Sequence, residues 1–112
     1  MAEEEARMKR AVEFDERIIR LYEKWGQKVD WLMTEKVPPE EYAIRWFNEY
    51  SKSFSNILAE ASAEYKRGRI AYDDYYAIRY RIEATLDEMK SAVLDVISRY
   101  LDKVKAKRLA VP

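Results

Sequence analysis

The sequence predicts an all-α domain, an elongated up-down-up three-helix bundle with helices over about residues 2–35, 39–67 and 72–108. Three observations carry this expectation. Apolar residues recur at steps of three and four through nearly the whole chain, and strand-like alternation persists nowhere over a useful length. Only 2 glycines and 3 prolines occur in 112 residues, and all but Gly26 fall between or beyond the periodic runs. Charged residues reach 38%, enough to give every helix a solvated face.

The first helix is proline-free and carries Ala11, Phe14, Ile18, Tyr22, Trp25, Val29 and Leu32 on one stripe. Val37-Pro38-Pro39 ends that run, because a proline ring removes an amide donor and clashes with the preceding turn. Pro39 followed by Glu40 and Glu41 also opens the second helix, with proline at the first helical position and carboxylates in the first turn. Its stripe is the most regular: Ala43, Phe47, Tyr50, Phe54, Ile57, Ala61 and Tyr65. Gly68 supplies a left-handed C-terminal cap. The third helix starts at the poor cap Ala71, offset by Asp73 and Asp74 and by Ile70 stapling onto Tyr75. Tyr75, Ile82, Leu86, Met89, Val93, Val96 and Tyr100 form its seam, interrupted by the charge of Arg79.

Long helices joined by short turns pack as antiparallel neighbours, so residues 1–112 form one domain roughly 45 Å long at 1.5 Å per residue. Residue i of the first helix then stands level with about residue i + 66 of the third. Beyond Tyr100 the third helix overhangs the first hairpin, carrying Leu101, Val104 and Leu109 past it.

Composition excludes whole classes of chemistry. With Cys 0 and His 0 there is no disulfide framework, zinc finger, haem ligand, thiol nucleophile or Ser-His-Asp triad. Gly26 and Gly68 alone cannot build a glycine-rich phosphate loop. Carboxylate-bridged metal sites in bundles use Glu-x-x-His pairs, which cannot occur here. The expectation is therefore no enzyme, no cofactor, no metal and no small-molecule substrate. No apolar run approaches the roughly 18 residues that span a bilayer, and Glu3, Glu4 and Glu5 are the opposite of a signal peptide. That reading places the chain in the cytoplasm or inside a virion, away from membranes. Asn and Gln total three beside dense Glu, Arg and Lys, a thermophile bias that points to a thermophilic host or one of its viruses.

Asp15 is the one acid flanked by apolar positions (Ala11, Val12, Ile18 and Ile19). The level rule sets it near Arg79, so an Asp15–Arg79 ion pair, with Arg81 as substitute, is expected to fix the register of the first and third helices.

Two surface patterns point to partners. Arg10, Arg17, Arg20, Lys24 and Lys28 share one arc of the first helix, read as roughly opposite the core, and Trp31 projects from it. With Lys103, Lys105, Lys107 and Arg108 they are the candidate contacts to nucleic acid, bases stacking on Trp31 and phosphates meeting cations. The balance of 21 basic and 21 acidic residues offers no bulk attraction to support that. The second pattern is excess apolar surface. Tyr72, Tyr76, Tyr80, Leu94 and Leu101 lie beside the third helix's seam, and Ile19 and Met33 lie beside the first's. Read as one strip along the groove between those helices, they form a partner interface. The leading expectation is a non-enzymatic structural or assembly protein that self-associates or docks on a protein, such as a coat or scaffold subunit. A nucleic-acid-associated subunit is the alternative.

Overall fold

The computed structural model describes residues 2–34 and 39–110. They form three helices: α1 (Ala2–Leu32), α2 (Pro39–Lys66) and α3 (Tyr72–Ala110). Each packs on both of the others, and no strand occurs among the described residues. The Val37-Pro38 break lies outside them, but Pro39 does open α2, with Glu40 and Glu41 in the first turn.

Local chemistry terminates each helix. After Leu32, the Thr34 hydroxyl donates to the Trp31 carbonyl at 2.7 Å, satisfying one of the orphan acceptors at the end of α1. At the end of α2, Gly68 stands at φ 72°. Its N–H donates to the Tyr65 carbonyl, and that of Arg69 to the Glu64 carbonyl, each at 2.9 Å. That double closure is the Schellman arrangement, and glycine meets its left-handed requirement without strain. Ala71 then accepts the first bond of α3, from the Tyr75 N–H at 3.0 Å, while Ile70 tucks into the core.

The core runs the length of the bundle. Phe14, Ile18, Trp25 and Leu32 of α1 meet Ala43, Phe54, Ile57 and Ala61 of α2 and Ile78, Ile82, Met89, Val93 and Val96 of α3. No polar or charged residue is buried among the described residues. The α3 seam therefore has no interruption. Ile78, one position before Arg79, completes it, and Arg79 is turned out to Glu83 at 3.0 Å.

That rotation overturns the expected Asp15–Arg79 pair. The guanidinium of Arg81 reaches Asp15 instead, with 2.7 Å between Nη1 and Oδ1. The N–H points aside, so Oδ1 receives the charge without an aligned hydrogen bond. Two turns further on, the Tyr22 hydroxyl donates to Glu88 Oε1 at 2.6 Å. Both links join residues 66 apart, so α1 and α3 run parallel in the anticipated register. Antiparallel α2 is tied by Arg17–Glu60 near one end and Trp31–Trp46 near the other.

The molecule measures 74 × 18 × 17 Å, well beyond the expected 45 Å. Helix length and stagger are the reasons. The 39 residues of α3 alone extend about 58 Å at 1.5 Å each. The first turns of α1 project past the α2–α3 turn, and the last turns of α3 project past Leu32.

Candidate interaction surfaces

The basic arc of α1 does not face away from the core. It flanks α2, whose carboxylates meet it. Arg17 bonds Glu60 and also lies over the Phe14 ring, 5.6 Å from its centroid. Arg10 stands 3.6 Å from Glu64, which also receives Arg67 at 3.5 Å and Arg69 at 3.4 Å. Arg20 turns to Glu16 on its own helix at 3.4 Å. The hydrogen bond from Arg17 holds the Glu60 carboxyl below its usual range. Three of the five arc cations are thus committed to carboxylates, and Lys24 stands exposed beside them.

Trp31 also has neighbours within the fold. Its ring meets Trp46 at 5.4 Å and Tyr42 at 5.8 Å between centroids, both edge to face. Lys28 sits over Trp46, 4.6 Å from its centroid. These residues form an aromatic patch between α1 and α2, with 42% of Trp31 still open to solvent. The sequence angle placed Trp31 correctly around α1. What it lacked was the position of α2, whose Tyr42 and Trp46 supply the partners.

The apolar excess of α3 does lie outside the core. Tyr72, Tyr76, Tyr80, Leu94 and Leu101 are between 57% and 68% exposed, and Ile19 and Met33 of α1 are exposed as well. They do not form one strip. Towards α1, α3 presents Arg81 and Glu88, whereas Tyr72 meets Tyr65 of α2 at 5.7 Å. At 100° per residue, Tyr76 and Leu94 stand about 130° around α3 from that α1-facing side. Ile19 and Met33 instead share the α1 flank with Met8 and Val12, both exposed. The seven residues therefore divide between two separate faces, and the outer face of α3 carries five of them.

Near the α2–α3 turn the tyrosines are organised. Tyr65 and Tyr75 stack at 5.0 Å with 8° between their planes, and Tyr72 and Tyr76 lie 6.3 Å apart at 27°. This cluster passes continuously into the outer face of α3. At the opposite end, where α3 overhangs, Leu32, Met33, Val96, Tyr100 and Val104 line an open groove of about 680 Å³. Lys103 and Lys107 border it, and Lys105 and Arg108 are exposed on the same turns.

Titratable chemistry is sparse. Hydrogen bonding to Glu88 raises the Tyr22 hydroxyl above its ordinary range, and burial does the same for Tyr50. Among the described residues no three acidic side chains converge as a metal site. No helix among those residues is long and apolar enough to cross a membrane. The surfaces are suited to contact, through rings, aliphatic chains and paired charges. Comparisons of the chain with protein-family models, with curated proteins and with solved structures return no match.

Proposed function

We propose that this chain is a non-enzymatic assembly subunit, a helical bundle that associates with further copies of itself chiefly through the outer face of α3. The observation that carries the reading is the exposure of five large apolar side chains, from Tyr72 to Leu101, on a helix whose core stripe is already complete without them. Burying a large aliphatic or aromatic side chain is worth roughly 1.5–3 kcal/mol. Five per copy can outweigh the rotational and translational cost of association. A small repeated unit of a coat or scaffold is the role that such a rod-shaped subunit suits, in a thermophilic setting if the compositional bias is followed.

The test is sedimentation at tens of micromolar, wild type beside a Tyr80→Lys, Leu94→Glu double variant. Both side chains stand outside the core, so the variant should stay helical and become monomeric. A monomeric wild type overturns the reading. Adding short oligonucleotides at two salt concentrations separates it from nucleic-acid binding. Phosphate contacts weaken steeply with salt, whereas apolar association holds or strengthens.

A further inference from the structure

The outer face of α3 has a finer pattern than apolar excess. Tyr76, Tyr80, Glu83, Asp87, Lys90, Leu94 and Leu101 are all exposed, and they follow one another at steps of four, three, four, three, four and seven. Those are the intervals of a coiled-coil seam. α3 thus carries one heptad seam buried against α1 and α2, and a second that nothing in the bundle covers.

The centre of this second seam is charged, and its charges differ from their neighbours. Arg79 pairs with Glu83 at 3.0 Å and Asp95 with Arg99 at 3.2 Å, both along α3. Asp87 and Lys90, between these pairs, enter no ion pair among the described residues. A seam position bearing an unpaired charge is unfavourable beside an arbitrary apolar partner and selects one that returns the opposite charge.

Resting on the self-association reading above, we infer that the occupant is α3 of a second copy, antiparallel, with the two-fold axis passing between Asp87 and Lys90. In that register Asp87 of each copy faces Lys90 of the other, giving two reciprocal ion pairs at the centre. Leu94 lies over Glu83, whose charge Arg79 already holds. Tyr76 meets Leu101 of the other copy, and Tyr80 faces Ile97, the half-buried seam position between Leu94 and Leu101. Further out, Lys105 comes level with the Tyr72 ring, a cation–π arrangement made twice. Parallel pairing in register would instead set Asp87 against Asp87 and Lys90 against Lys90, so charge excludes it. Every contact is repeated by the two-fold, as a closed pair requires.

Charge exchange tests the register. Asp87→Lys alone places two cations opposite one another twice, and Lys90→Glu alone places two anions so. Each variant, checked for wild-type helicity, should dimerise about tenfold or more weakly than wild type by sedimentation. Mixed in equal amounts, the two should recover wild-type association as a heterodimer. The lysine introduced at position 87 of one copy then faces the glutamate introduced at position 90 of the other, and the unchanged Lys90 faces the unchanged Asp87. Single variants that dimerise like wild type, or a mixture no tighter than its components, would overturn this register while self-association stands. A wild type that stays monomeric removes both.

Discussion

At Gly68 the backbone holds φ 72°, and a Cβ added there would meet nothing within 4 Å. The cost of a side chain is therefore conformational alone, and Gly68→Ala should destabilise by about 1 kcal/mol. Gly26 presents the opposite case. It lies inside α1, with ordinary helical backbone and equally open space around the missing Cβ. Gly26→Ala should stabilise by about 0.5–1 kcal/mol through helix propensity. For a chain of this size, thermal melting should separate the two variants by several degrees, roughly 4 °C for each kcal/mol. Equal or like-signed shifts would contradict the assignment of Gly68 as the residue that caps α2. One residue also decides the course of the α3 seam. After Tyr75, both the third and the fourth positions can continue a helical stripe. Spacing alone admits Arg79, whereas the fold takes Ile78, which is buried.

Among elements, the register of α1 against α3 rests on Asp15–Arg81 and Tyr22–Glu88. Oδ1 of Asp15 is shielded from water and lacks an aligned hydrogen bond, so the nearby guanidinium is its main compensation. Arg81→Ala should cost about 1 kcal/mol, discounted for the half-open arginine. Arg79→Ala, which in the monomer removes only a surface pair with Glu83, should leave the denaturation midpoint of the monomer where it is. Chemical denaturation of the two variants checks this, and the reverse order would restore the Asp15–Arg79 pairing. Helix bounds, caps and the 66-residue offset were legible in the sequence because they are local or follow from turn length. Orientation around each axis was legible only in part. Periodicity gives the angle of Arg17 or Trp31 on α1, but not on which side α2 lies. That depends on the hand of the bundle, which no stretch of one helix records. Periodicity alone therefore leaves the α1 arc open where Glu60, Glu64, Tyr42 and Trp46 flank it, and sets Ile19 on a face with the α3 tyrosines that it does not share.

Over the whole molecule, stability must vary along the 74 Å axis. From Ile78 through Ile82 to Met89, which stands level with Phe54, all three helices pack side by side, and these side chains are fully buried. At the two ends a single helix continues alone, α1 before Met8 and α3 after Leu101. Amide exchange in the monomer should accordingly be slowest through the middle of α2 and α3 and fastest in those overhanging turns. Antiparallel pairing through the outer face of α3 would change the two ends differently. It lays the Tyr72–Tyr76 end of one copy along the Leu101–Lys105 turns of the other, and it leaves the first turns of α1 untouched. Raising the protein concentration through the association range should slow exchange at residues 101–105 by about tenfold or more while residues 2–8 keep their rate. The Tyr80→Lys, Leu94→Glu variant should show no concentration dependence at either end. Concentration-dependent slowing at residues 2–8 instead would place the contact on α1, where Met8 and Val12 are the exposed apolar side chains.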